Sequence, residues 1–230
     1  SYGYVLFQGT QTLGGTGSIV YGGSSSNTVY VNGLGSAATL TIGPGITLRG
    51  KSGSLSSYYG NETFINQGTI SADVAGGTLT VTTPGWSNQG TIEARNGGTL
   101  QLAGTITSGG LGTFTDNGGT GAVSLTGTLN NAGNTLALNA TTGVLQLKGG
   151  TIKGGTVMET GGSQLLVTTS GGTLDGVTFN GDLDLTTNFG VNVTIVNGLT
   201  LDGTIHLGKA DGGSYGYVLF QGTQTLGGTG

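Results

Sequence analysis

His206 is the only imidazole in the 230-residue sequence, so any general base, charge-relay pair or nitrogen-ligated metal would have to be built on it. It sits in Gly-Thr-Ile-His-Leu-Gly, alternating with Ile205 and Leu207, which reads as an outward residue of a short strand. No G-x-S-x-G elbow accompanies it, and a serine nucleophile would need this same histidine as partner. The acids are the second resource. Asp182 and Asp184 share one strand face, and Asp175 and Asp202 lie in nearby segments, a set that could collect a hard cation such as Ca²⁺ if those segments stack. The calcium-binding nonapeptide Gly-Gly-x-Gly-x-Asp is missing, so these acids are expected to be solvated. No cofactor is expected, and Ca²⁺ is the one candidate.

Aromatic rings offer binding rather than bond-breaking. Tyr2 and Tyr4, which recur as Tyr215 and Tyr217, share a strand face. Tyr58 and Tyr59 fall in the polar stretch Gly50 to Glu62, which reads as a lateral loop; Tyr30 and Trp86 complete the set. Rings so placed could stack on sugars, cover the flank of the molecule or fill a contact between fibres. The bases Arg49, Lys51, Arg95, Lys148, Lys153 and Lys209 are scattered, so the acid-and-base groove of a polysaccharide lyase is not expected. Thr-x-Thr pairs at Thr39, Thr78, Thr105, Thr113 and Thr223 lack the constant register of an ice-binding face. The expectation is a chain that is not an enzyme.

The elements that must carry these residues follow from repetition. Ser1 to Gly17 reads SYGYVLFQGTQTLGGTG, and Ser214 to Gly230 reads the same. Residues 1–213 are therefore expected to be one full module and 214–230 the start of the next identical one. Inside the module, Asn-Gln-Gly-Thr-Ile at Asn66 recurs at Asn88, and Gly-Gly-Thr recurs at Gly76, Gly97 and Gly118 and at Gly149 and Gly171. That spacing predicts about 20–23 residues per unit and roughly ten units in 213 residues.

Each unit alternates in period two, as in Leu79 and Val81, Leu100 and Leu102, Leu136 and Leu138, Leu145 and Leu147, Leu183 and Leu185, Val193 and Ile195, and Ile205 and Leu207. Two or three short strands with glycine corners cannot bury their own apolar face, so the units must stack. The expected fold is all-β, a right-handed parallel β-helix (β-solenoid) with strands of successive coils paired about 4.8 Å apart. Asn66, Asn88 and Asn131 are read as structural corner residues, tolerant of left-handed backbone and able to hydrogen-bond to an asparagine one coil away.

Composition agrees. Glycine supplies 52 residues, proline 2 and cysteine none, and charged residues are 7% with a net charge of −4. Glycine on that scale is tolerated where tight turns recur, and the charge leaves no basic patch for nucleic acid. No apolar run is long enough for a transmembrane segment. Lacking an initiating Met and a signal-peptide core, the sequence reads as an interior piece of a longer chain.

The GGTL and NQGTI turns, the blocks LTIGPGITLRG (39–49) and GGTLDGVTFNGDLDLT (171–186) and the 213-residue period resemble the repeat regions of giant bacterial surface and secreted proteins, the filamentous haemagglutinin-like and autotransporter-passenger β-helices. The resemblance implies export to the cell surface or matrix and a stalk or adhesin role, without catalytic residues. The expected partners are identical repeats joined head to tail, laterally bundled fibres, or a polysaccharide.

Overall fold

In the computed structural model, which describes residues 2–230, the chain is all-β, 52% strand and 2% helical. Its parallel coils stack as a β-solenoid of about ten turns. Ser1, the first residue of the repeated block, lies outside the described residues. Two compact units are distinguished, Ser1–Val123 and Ser124–Gly230.

In the first unit each coil contributes three strands. One ladder runs through Tyr4–Gln8, Thr28–Asn32, Ser52–Ser57, Thr78–Val81 and Thr99–Leu102. A second runs through Gln11–Leu13, Thr39–Ile42, Thr63–Asn66 and Ser87–Asn88. The third holds Gly17–Tyr21, Ile46–Gly50, Thr69–Ala72, Thr91–Ala94 and Thr113–Thr115. All these pairings are parallel and in register, so that Leu48, Ile70, Ile92 and Phe114 form one inward column. Each is almost wholly buried, and removing a side chain of that size from water contributes about 1.5–3 kcal/mol. The threonines of the same strands stay half-exposed on the outer face.

The second unit repeats the plan. Thr128–Asn130, Thr151–Lys153 and the starts of Thr173–Asn180 and Val191–Asp202 align Leu129, Ile152, Leu174 and Ile195. Thr135–Leu138, Thr156–Glu159 and the far halves of the same two long strands align Leu136, Val157, Phe179 and Leu201. The third side pairs Leu145–Leu147 with Leu165–Val167, and Leu183–Leu185 with Ile205–Leu207. The inward pairs expected from period two are buried, with one exception: Leu207 is 62% exposed. Its strand is hydrogen-bonded on one side only, to Leu183–Leu185.

The coil length drifts more widely than 20–23 residues. Leu145 pairs with Leu165, 20 residues on, but Gln11 pairs with Leu40, 29 residues on. The stretch Gly50 to Glu62 is also not a loop: Ser52–Ser57 is a strand paired on both sides, and only residues 58–61 turn away. Gly53 faces inward there, and a Cβ at that position would lie 2.2 Å from Cδ1 of Tyr21. The buried Tyr21 ring fills the space a side chain would otherwise take and donates its hydroxyl to Ser54 O at 3.2 Å. A strand whose inward residue is glycine loses the alternation by which strands are recognised.

Candidate functional site

Three groups of polar or aromatic residues are brought together by the coil stacking. The first is an array of tyrosines on the outer face of the first ladder. Tyr4 and Tyr30 meet edge-on at 6.5 Å, Tyr30 and Tyr58 at 5.5 Å, and Tyr58 and Tyr59 at 5.0 Å. Tyr4, Tyr58 and Tyr59 remain 64%, 51% and 60% exposed, so one side of the array faces water. Tyr2 is exposed as well, and at the other end Tyr215 packs edge-on against Phe189 at 4.6 Å, with Tyr217 exposed.

Trp86 does not belong to this set. It is 2% exposed and stacks on Phe64 at 5.4 Å with the rings 13° from parallel, so it is a core residue and cannot reach a glycan or a neighbouring fibre. Its position after Thr-Thr-Pro-Gly suggested a surface turn, but the turn folds the ring inward, where it covers Phe64.

The array rests on a buried carboxylate that the sequence reading passed over. Glu62 is fully buried; its carboxylate accepts the backbone N–H of Gly33 at 2.8 Å, that of Tyr59 at 3.0 Å, and the Ser57 hydroxyl. Burial alone would raise its pKa, but these donors outweigh burial and hold it at about 2. Glu62 thus ties the turn that carries Tyr58 and Tyr59 to the corner of the preceding coil.

The second group lies in the second unit, where Glu159, Asp182, Asp184, Asp202 and His206 line one open groove. Stacking at a 22-residue offset sets Asp184 beside His206, and the His206 Nε2 lies 3.6 Å from Asp182 Oδ2. That offset is legible as 184 plus 22, and it is the signal by which this juxtaposition could have been found. Asp175 is held apart from the groove, accepting a hydrogen bond from the Asn197 amide at 2.6 Å.

The oxygens of the groove are largely engaged with backbone. Asp182 accepts from Thr204 N (2.8 Å), Asp184 from Thr186 N (2.8 Å), Asp202 from Thr229 N (3.0 Å) and its hydroxyl (2.8 Å), and Glu159 from Leu165 N (2.6 Å). Burial raises the Glu159 pKa, partly opposed by its backbone hydrogen bonds. Among the described residues no three of these side chains converge as a metal set. Carboxylates so engaged fasten turns between coils.

The third group is the asparagine corners. Asn66 donates from Nδ2 to Asn88 Oδ1 at 2.7 Å, and Asn88 in turn donates to Leu111 O and Thr113 O at 3.0 and 2.9 Å. Asn131 donates to Thr156 O at 2.8 Å. All three are buried, which makes them the stacked corner residues expected. Left-handed backbone, however, falls elsewhere: at Leu34, Asn96, Asn117 and Asn197. The buried corners keep ordinary dihedrals because their side chains, rather than their φ angles, turn the chain.

Comparison with models of known families, with curated proteins and with solved structures finds no match.

Proposed function

We propose that this chain is a shaft module of a long extracellular tandem-repeat fibre or surface stalk, converting sequence length into fibre length. The observation that carries this reading is the seating of the second copy of the repeated block. Gly216–Phe220 is laid down as a further parallel strand on Val191–Ile195, with Val218 opposite Val193 and Phe220 opposite Ile195. Leu226 stands opposite Leu199. The opening residues of a second repeat therefore continue the coil stacking of the first. A secreted, bacterial setting is part of the proposal and rests on the repeat resemblance alone. Engagement of the groove acids with backbone supports a non-enzymatic role.

The test is a covalent chain of two successive repeats, residues 1–213 followed by 1–230, viewed by electron microscopy beside the single-repeat chain. The added repeat is expected to lengthen a single unbroken rod by about 50 Å, ten coils at ~4.8 Å each. Two particles joined by a hinge would overturn the reading.

A second reading, glycan binding, is favoured by the exposed tyrosine array. Oligosaccharide titration of the single-repeat chain, followed by tyrosine NMR signals, should then weaken about tenfold in Tyr58→Ala, a loss near 1.4 kcal/mol. Binding that is undetectable, or indifferent to that substitution, removes the reading.

A further inference from the structure

The repeated block occurs twice in the chain in the same local conformation but with opposite edges covered. Gly9 and its counterpart Gly222 have φ of 75° and 78°. Gln11 donates from Nε2 to Gln8 O at 2.6 Å, and Gln224 donates likewise to Gln221 O at 2.7 Å. The facing is shared as well. Val5 and Phe7 stand opposite the buried Val29 and Val31, and Val218 and Phe220 stand opposite the buried Val193 and Ile195.

The difference lies in which neighbour is present. Strand Tyr4–Gln8 is paired only with the coil that follows it, and strand Gly216–Phe220 only with the coil that precedes it. Each copy is half-covered: Val5 is 41% exposed and Leu219 47%. The two half-pairings are compatible, because one block can satisfy both at once. Superposing them produces the inward columns Val193–Val5–Val29 and Ile195–Phe7–Val31 and the outward column Thr194–Leu6–Tyr30. On the next strand they produce Leu199–Leu13–Ile42. The glutamine adds polar contacts to the edge: Gln224 donates to Ile195 O at 2.8 Å and accepts from Gly198 N at 2.8 Å, and Gln11 supplies the same amide.

We propose that residues 1–17 are an exchangeable end block: those of a second copy of this chain can occupy the edge that residues 214–230 cover, joining copies head to tail without a peptide bond and in one register. This rests on the shaft reading and names its partner and its contact. The interface is heterologous and does not close on itself, so it propagates into a filament. A chain's own carboxy-terminal block competes for that edge at the high effective concentration of a tethered segment, on the order of millimolar. The intact chain is therefore capped, and exchange becomes visible when the tethered block is weakened.

The sequence has no cysteine, which permits a direct register test. One chain carries Thr194→Cys together with Val218→Asp and Phe220→Asp, which expel its own block; a second, otherwise intact, carries Leu6→Cys. After mixing and mild oxidation these are expected to give a covalent heterodimer, because the two residues face each other on adjacent parallel strands within disulfide reach. Gln8→Cys in place of Leu6→Cys, displaced about 7 Å along the strand, is expected to give none, as is a Leu6→Cys chain that also carries Val5→Asp and Phe7→Asp. Should the doubly charged variant lose its strand circular dichroism, Phe220→Ala replaces it. No heterodimer between folded chains, or equal yields at positions 6 and 8, overturns the proposal. If the covalent two-repeat chain is one continuous rod while this mixture stays monomeric, exchange in trans fails and the shaft reading stands. If that rod is itself broken, both fall.

Discussion

Trp86→Ala should lower the unfolding free energy by about 4 kcal/mol, within the range of a buried large aromatic truncated to alanine. The ring is 2% exposed and stacked on Phe64, whose own ladder partner is Leu40, so its removal leaves a cavity against the inward column of the second ladder. Trp86→Phe should cost far less, under about 1.5 kcal/mol. The indole Nε1–H is buried and makes no hydrogen bond, so phenylalanine removes an unsatisfied donor while keeping a ring against Phe64. Urea unfolding followed by far-UV circular dichroism reads both, because the midpoint shifts while the slope stays constant if only stability changes. A Trp86→Ala chain as stable as the parent would mean that the ring is a surface contact after all.

Trp86 also shows where sequence reasoning stops in a solenoid. Period-two alternation and the recurring GGT and NQGTI turns made the stacking legible. Leu79 falls beside Leu100 and Ile70 beside Ile92 because the turns between them have equal length. Alternation says nothing about residues in the corners, which is why Trp86 was read as exposed although the corner folds inward. It fails again at Gly53, where the inward group is the Tyr21 ring one coil away and no local residue signals a strand. Contacts between coils are legible only as offsets. Asn66 to Asn88 was found because both lie in the same pentapeptide, whereas Asp184 to His206 has the same 22-residue offset and no shared motif. Glu62 carried no signal at all: its donors come from Gly33, 29 residues earlier, and from a turn whose path depends on Glu62 itself.

That buried carboxylate sets the second large effect, an acid-dependent loss of stability. Its folded pKa, about 2, lies below the ordinary value of 4.5, so the unfolded chain binds the proton more readily. The stabilisation it contributes is therefore complete above about pH 4.5 and disappears as pH falls toward 2. Glu62→Gln keeps the shape but replaces one acceptor oxygen by an NH₂ group and removes the charge. Hydrogen bonds to charged acceptors contribute about 1.5–3 kcal/mol each, so the variant should be less stable at pH 7 by about 3 kcal/mol. Glu159 shifts in the opposite direction and gains stability as pH falls, but it is present in both chains and cancels in their difference. Unfolding midpoints of parent and variant should accordingly converge between pH 4.5 and 2.5, with the parent falling toward the variant. A gap that stays constant across that window would show that the group titrating there is not Glu62. Tyr58 and Tyr59 should gain mobility in Glu62→Gln at neutral pH, because their turn is held by the carboxylate; weakened glycan contact in that variant would then follow from lost positioning of the rings.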